Sequence, residues 1–521
     1  MPLPAPGTPW PPADLKPVTD RLVTWGAWWS GDPDMLSAVY GGAVDFTRSG
    51  FFASEQGGIR GRIINTLSRW FWGTQPPAHE QRQKLHIGLA GTIASTSADL
   101  LFSEPPKITV KEQKAQDRLD ELVDDGVHAI LLEAADACAG MGGEYLRVCW
   151  DREAHPDGPW LDAVHADAAI PEWVQGRLAA VTFWRVIGRD GDKVVRHLER
   201  HEAGVVLHGV YVGTDTGLGK PAPLAAYPDT AGLDPVVTTN VPRLLVEYVP
   251  NMRPNKLWRG MPQAAYLGRA DIAGSEPALD ALDETWSSWM RDLRLAKARL
   301  IVPDVYLQQQ GRGQGARFDA DQEIYSTLNM LPQTGGAPQI SEVQFAIRVA
   351  EHRDTAAALV AQILRDSGYS GQTFGEVTEA GAVTATEVHA RQSRSYTTRA
   401  RKIVYWRPAL ARILETLLMV DATVFASGVV PELPALEFPD AVSEDPGAIA
   451  QTVQLLVAAD AISTRTRVQM VHPDWDDTAV NDEVKAIRAE TASTGADPVQ
   501  VLRDIHGAGP EEPVSPDAGQ P

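Results

Sequence analysis

Cysteine is almost missing from this chain: Cys138 and Cys149 are the only two in 521 residues. That excludes a disulfide-held scaffold, and the pair lies too far apart for a C-x-x-C redox or zinc motif, with no further thiol to complete a metal site. Both are expected to be reduced, in a chain that folds in cytoplasm. Long apolar runs are missing too. A membrane helix needs roughly 20 consecutive apolar residues, and the best stretch, Ala411 to Val430, is broken by Arg412, Glu415 and Asp421. The N-terminus, Met-Pro-Leu-Pro-Ala-Pro, lacks the basic and apolar regions of a signal peptide, so a soluble, unsecreted protein is expected. Positive charge is in short supply, with a formal net charge of −21. This argues against a protein that binds nucleic acid by affinity, because such binding draws on cations replacing counterions at phosphate. It leaves open a surface past which DNA moves without sticking, beside the plainer reading of acidity as a source of solubility.

The constellations of common enzymes are lacking as well. Gly213, Gly217, Gly219 and Lys220 mimic a phosphate loop, but Thr214 stands where the first glycine is needed and Pro221 where the magnesium-holding Ser or Thr belongs, so a surface turn is predicted. His197 and His201 flank Glu199, but Val194, Val195, Leu198 and Val205 favour a strand, and the pair reads as exposed strand histidines. His472-Pro-Asp-Trp-Asp-Asp477 reads as a turn between helices. No G-x-S-x-G elbow is present, and neither cysteine has a histidine nearby in sequence. No catalytic, cofactor-binding or metal site is predicted.

What is there is length and pattern. At 44% hydrophobic residues the chain can bury several cores, about three or four at roughly 100–200 residues per domain. A Pro-rich arm, 1–17, opens it. Leu85, Leu89, Ile93, Leu100 and Leu101 then share one helical face, and Ser103-Glu-Pro-Pro106 stops that helix. A strand follows at 107–110, and a second helix, about 116–139, ends at Gly140, Gly142 and Gly143. From Glu144 to Tyr248 the pattern turns to β-runs at 145–150, 180–186, 194–198, 205–212 and 244–249. The first 250 residues therefore predict one α+β domain.

Beyond Pro250 the chain is helical. Leu279, Leu282, Trp286, Trp289, Leu293, Ala296 and Leu300 form a heptad-like seam over 275–300, with Ser275 as N-cap, Glu276 suiting the positive helix end and Pro277 in the first turn. Some forty irregular residues follow, with a strand predicted at 324–328; a loop this long inside a compact domain usually has work to do. Helix resumes over 341–367. A Gly- and Thr-rich break, 368–383, precedes a last long helix to about Val420, with a Thr384–Glu387 capping box and a kink near Pro408. A small helical region spans 445–492, and the tail beyond Gly495 is expected to be disordered. The last long helix carries Arg391, Arg394, Arg399, Arg401, Lys402, Arg407 and Arg412 against only Glu387 and Glu415. Such a stripe meets DNA phosphate, acidic surface on a neighbouring copy, or solvent; the overall acidity favours the neighbour over DNA.

The order of segments resembles the portal proteins of long-tailed double-stranded-DNA bacteriophages, especially those infecting actinobacteria. The residues that carry it are Leu85-His-Ile87 through Ser97-Ala-Asp-Leu-Leu-Phe-Ser-Glu-Pro105, Gly142-Gly-Glu-Tyr-Leu-Arg-Val148 with Trp150-Asp151, Ala385-Thr-Glu-Val388 with Trp406, and Ile462-Ser463 with His472-Pro-Asp-Trp475. The resemblance covers about 85–490. It implies an α+β, mainly helical portal fold that forms a ring, usually of twelve copies, at one capsid vertex. Its regions are a wing (18–254), a stem (255–301 and 340–367), a clip (302–339), a tunnel loop (368–383), a long helix returning to the wing (384–444) and a crown (445–494), with 495–521 as tail. It implies a structural protein, not an enzyme, with no cofactor. DNA passes through the channel during packaging and ejection, and the partners are terminase, a head-to-tail adaptor and the major capsid protein, with assembly in the host bacterial cytoplasm and residence in the virion.

By position, the tunnel-loop candidates facing DNA are Gln372, Thr373, Phe374, Glu376, Thr378 and Glu379. The clip candidates for docking are Gln309, Gln310, Arg312, Gln314, Arg317 and Tyr325. The subunit-interface candidates are Trp286, Trp289, Arg394, Arg399 and Arg401, with the two tryptophans expected between subunits or against the wing. The rival readings are a nucleic-acid-processing enzyme that uses the basic helix 391–412, and a different homo-oligomeric capsid or tail connector.

Overall fold

The computed structural model describes residues 3–40, 84–153, 155–295, 299–301, 308–309, 316–317, 341–343, 347–375, 385–439, 446–459, 461–472, 475 and 477–494. The chain divides into two units, Met1–Pro439 and Asp440–Pro521.

In the first unit the Pro-rich arm is docked. Gly7 N donates to Gly219 O (2.7 Å), Leu218 N to Thr8 O (2.9 Å) and Trp10 N to Thr216 O (3.0 Å), and Trp10 is buried against Trp184. Helices α1 (Lys16–Ser30), α2 (Pro33–Tyr40) and α3 (Leu89–Phe102) follow. Strand β1 is Lys107–Thr109. The helix expected over 116–139 is two, α4 (Gln113–Asp124) and α5 (Val127–Met141). Between them Gly126 takes a φ of 94°, a left-handed conformation that glycine adopts readily and that ends one helix before the next begins. Gly142 caps α5 in the same way, its N–H reaching Cys138 O.

Strands β2 (Gly143–Cys149) and β3 (Trp160–His165) come next, then β4 (Ala169–Val174), β5 (Arg177–Asp190), β6 (Lys193–Glu202), β7 (Val205–Thr214), β8 (Gly217–Ala222), β9 (Val236–Thr238) and β10 (Val246–Pro250). They make a three-stranded sheet, β10-β2-β3, and a six-stranded one, β4-β5-β6-β7-β8 with β9 on β7. The false phosphate loop is the β7–β8 hairpin. A Cβ on Gly213 would sit 2.1 Å from Gly217 O, and one on Gly219 2.0 Å from Val212 O, so these glycines serve strand crossing.

Helix α6 spans Glu276–Leu295. Ser275 is not a side-chain N-cap: its buried hydroxyl makes no hydrogen bond. Glu276 instead turns back to accept from Gly274 N (2.7 Å), Trp25 Nε1 (2.9 Å) and Arg21 (3.1 Å). Strands β11 (Arg299–Ile301), β12 (Gln308–Gln309), β13 (Ala316–Arg317) and β14 (Ser341–Val343) follow, β11 pairing with β14 and β12 with β13. Residues 341–343 are thus strand rather than the start of a helix; α7 runs from Val349 to Ser367. The strand expected at 324–328 and the Thr384 cap lie outside the described residues.

Helix α8, Ala385–Val424, runs through Pro408 as one helix. Proline removes the bond to the carbonyl four residues earlier, and Val404 is 66% exposed, where water can take the bond's place. Strand β15 (Ala435–Glu437) pairs with β1.

One core gathers α3, α4, α5, β2 and the second half of α8 around Phe102, Leu119, Leu146, Trp406, Leu410 and Leu414. A second gathers α1, α2, α6 and α7 against β2 and β10. The second unit contains α9 (Pro446–Ala458), α10 (Thr464–Val471) and α11 (Asp477–Thr494), with Val468, Val480 and Val484 packed together. Ser463 caps α10 by accepting from Thr466 N. The predicted turn at His472 lies between α10 and α11, the His472 and Trp475 rings stacked 4.0 Å apart.

Candidate functional site

The long helix α8 organises the candidate surfaces, and its basic stripe is mostly engaged inside the subunit. Arg412 grips Glu247 of β10 with two hydrogen bonds, 2.9 and 2.8 Å. Arg399 donates to Leu100 O at the end of α3 (2.5 Å) and to Pro439 O. Arg407 lies over the Phe438 ring. Arg394 is exposed and donates to Arg365 O in the last turn of α7 (2.6 Å). Arg401 is exposed; the Arg391 side chain lies outside the described residues.

Lys402 points inward. It is 1% exposed, as is its partner Asp271, and Nζ lies 2.7 Å from Asp271 Oδ2. The same ammonium donates to Ser97 Oγ of α3 at 2.5 Å. Asp271 also accepts from the Tyr369 hydroxyl (2.7 Å) and from Asn251 Nδ2 (2.8 Å). Burial, and then the Asp271 charge, pushes the Tyr369 phenol well above its usual range. Charge this dry persists only when paired and fully hydrogen-bonded. The sequence carries a signal for this burial that counting charges along the helix misses. Lys402 sits four residues from Thr398 and four from Trp406, in the buried row that continues to Leu410, Ile413 and Leu417. By the same spacing Asp421 is buried, and Arg118 of α4 pairs with it at 2.7 Å.

Just past α7, Gly368 takes a φ of 91° and the chain turns into a 3-10 segment, Gly371–Phe374. Thr398 Oγ1 donates to Gly368 O (2.6 Å), and Ser395 Oγ accepts from Ser370 N (3.0 Å) and meets Thr373 Oγ1 (2.8 Å). Of the tunnel-loop candidates, Gln372, Thr373 and Phe374 lie in this anchored turn; Glu376, Thr378 and Glu379 are outside the described residues. Of the clip candidates, Gln309 and Arg317 belong to β12 and β13, and Gln310, Arg312, Gln314 and Tyr325 are outside. Trp286 and Trp289 stack on each other at 5.1 Å, and Trp289 stacks on His352 of α7 at 6.1 Å. His352 and Arg348 both reach Asp292 at 2.9 Å. Both tryptophans therefore have partners within their own subunit.

The histidines of β6, expected to be exposed, are buried. His197 and His201 are each 3% exposed, and Arg147 of β2 lies over the face they share with Glu199. Burial, then the charge of its stacked neighbour His208, lowers the His197 pKa to about 4. Glu199 is held well below the carboxylate range: against the cost of burial, its hydrogen bond with His201 (2.6 Å) and the charge of Arg147 (2.8 Å) win. Across β2, burial pushes Glu144 up to about 7. Burial works against the cation at His165, but the hydrogen bond to Glu144 (2.9 Å) outweighs it and raises that pKa to about 9. Among the described residues no group of three or more His, Cys, Asp and Glu side chains is placed to hold a metal ion, and no helix is long and apolar enough to cross a membrane.

These anchors describe a scaffold: a mixed helix-and-sheet body on which the long helix α8 is held by buried polar ties. Residues 60–496 match the family model described as phage portal protein, SPP1 Gp6-like, and the chain belongs to that family. Its role is that of a portal, the connector of a phage-type particle and a structural component of the capsid. No curated protein matches the chain. Solved structures similar to it include the neck of a native GTA particle computed with C12 symmetry, 16% identical over 74% of this chain and 89% of that one, with a TM-score of 0.39. Another is the virion of a native gene transfer agent particle, 14% identical over 79% of this chain and 99% of that one, at 0.34. TM-scores this low add nothing to the family match.

Proposed function

We propose that copies of this chain close into a ring, twelve in the assembled particle, whose channel passes double-stranded DNA during packaging and ejection. The match of residues 60–496 to the portal family carries this reading. In it, 18–254 is the wing, 255–301 and 340–367 the stem, 302–339 the clip that meets terminase and later the adaptor, 368–383 the tunnel loop and 445–494 the crown. The major capsid protein surrounds the wing, and assembly takes place in the host bacterial cytoplasm. The pairing of β11 with β14, Arg299↔Val343 to Ile301↔Ser341, supports the clip: the two ends of the insertion lie side by side. The exposure of Arg394, Arg401 and Val404 on one side of α8 supports an outward face for a neighbouring copy. A ring needs such heterologous contacts that close.

Electron microscopy of purified protein tests the reading. Closed rings with a central hole wide enough for duplex DNA are expected; a monodisperse compact monomer at high concentration overturns it. Deleting Gly311–Gly315 is expected to leave rings intact and to impair packaging or tail joining.

A further inference from the structure

We propose that Lys402 and Asp271 form a register lock that fixes the axial position of α8 on the first unit and thereby positions the turn at 370–375. The consequence for DNA rests on the portal reading; the lock itself rests on the geometry. Three separate stretches of chain converge on one carboxylate. Asp271 Oδ2 meets Lys402 Nζ and the Tyr369 hydroxyl, each at 2.7 Å, and Oδ1 accepts from Asn251. Its backbone N–H reaches Ala139 O in the last turn of α5. Lys402 gives a second proton to a hydrogen bond with Ser97.

The apolar seam of α8 by itself chooses a register only weakly. Leu410, Leu414, Leu417 and Leu418 recur at helical spacing and are alike from one turn to the next, so Trp406 against Phe102 is the seam's one register mark. The polar group does choose. A slide of one turn brings Thr398 or Trp406 to Asp271 in place of Lys402, and neither carries the charge a buried carboxylate requires. Arg399, the cation one turn before Lys402, is engaged by Leu100 O and Pro439 O, and Arg401 is exposed. Thr398, four residues before Lys402, and Ser395, three before that, hold the backbone at Gly368 and Ser370 and the Thr373 hydroxyl. The register of α8 thus sets where that turn begins. A buried polar pair that specifies register at a cost in stability is the best-attested use of such a pair.

Hydrogen exchange read peptide by peptide on the full-length protein tests this. In Lys402→Met, amides of 370–375 are expected to exchange about tenfold faster or more beyond the change seen at β2, the scale of losing a hydrogen bond's worth of local stability, with the β2 amides reporting the loss of global stability. Lys402→Met with Asp271→Asn removes both charges. It is expected to recover thermal stability toward wild type, because no charge is left stranded, yet to keep 370–375 labile. Recovery of both stability and protection would make the pair a packing feature only and overturn the lock, as would unchanged exchange in Lys402→Met. If Lys402→Met does not fold, the double variant is read alone: labile 370–375 beside recovered thermal stability supports the lock, and protection restored together with stability overturns it. Each of these results reads the same whether or not the wild-type protein forms rings, so the lock stands apart from the fate of the portal reading.

Discussion

Two regions of the first unit bury charge, and they do so over different distances along the chain. In the seam between the sheets, Arg147 reaches Asp162 and Glu199, 15 and 52 residues away, and stays 22% exposed. At the α8 anchor, Lys402 reaches Asp271 and Ser97, 131 and 305 residues away, and both members of the ion pair are 1% exposed. Strand pairing delivers the seam: Arg147↔Asp162 and Glu199↔His208 are cross-strand partners, so backbone register puts them together whatever the side chains gain. Nothing local delivers the anchor. The seam is therefore redundant and open to titration, whereas the anchor is dry and has one buried counterpart on α8, Asp421 with Arg118, and damage there is expected to spread further.

The largest expected effect probes the apolar half of this contrast. Trp406 is fully buried on α8, its ring 5.0 Å from Phe102 in an edge-on contact. Trp406→Ala is expected to cost about 3–5 kcal/mol of unfolding free energy in urea titration, from lost transfer energy and the cavity left behind. Trp184 on β5 is only partly buried, against Trp10 of the arm, and Trp184→Ala is expected to cost less than half as much. Equal losses would break the contrast between anchor and sheet.

Next in size is an acid response confined to the seam. His197 is buried neutral with its pKa lowered to about 4, so between its unfolded value of about 6.5 and that figure the unfolded chain binds more protons and stability falls as pH falls. His208, lowered by burial, adds in the same direction. The groups facing the pair are Glu199, His201, Arg147 and Arg185. Glu199 stays ionised through this window, because its own pKa is held far below it, so the loss belongs to the histidines. At about 1.4 kcal/mol for each tenfold change in proton affinity, His197 accounts for at most about 3 kcal/mol. Glu144, raised to about 7, binds its proton in the folded state over the same window and works in the opposite direction, so the histidine contribution is read as a difference: between pH 7 and pH 4.5, His197→Gln is expected to lose less stability, or gain more, than the wild type. The same slope in both would remove the seam from the explanation of acid stability.

The contrast also explains what the sequence disclosed. Alternation found β2, β5, β6, β7 and β10, because one face of each is apolar. It missed β3, β4, β8 and β9, of which β4 and β8 contain Pro171 and Pro221. Proline is tolerated in a strand that has a free side, and β4 and β8 are the two ends of the strand order; that is a property of the sheet, invisible from either strand alone. Helical spacing at Val343, Ile347 and Ala350 suggested a helix from Ser341, but pairing with Arg299–Ile301, some forty residues back, makes 341–343 a strand. Among the candidate surfaces, the break after Ser367 was legible from Gly368, whose left-handed φ ends α7. The basic helix was legible as charge and misleading as surface. Counting Arg and Lys says nothing about which of them face Leu100, Asp271 or Glu247, each brought up by a different part of the fold.

The smallest expected effect tests whether depth, rather than charge, separates the two regions. Arg412 and Glu247 form a well-aligned two-bond pair on the same helix as Lys402, but their side chains are 43% and 23% exposed. Water already solvates both groups in the unfolded chain and much of both in the folded one, so the gain in Coulomb energy is small. A double-mutant cycle of Arg412→Met and Glu247→Gln is expected to give a coupling of about 0.5–1 kcal/mol, the range of exposed pairs. Salt at high concentration should shrink it further, since screening acts on exposed charges and barely reaches buried ones. A salt-insensitive coupling of several times that size would mean that α8 is held as firmly by its surface ties as by its buried one. The register of the helix would then have no single determinant, and Lys402 would be one cation among several.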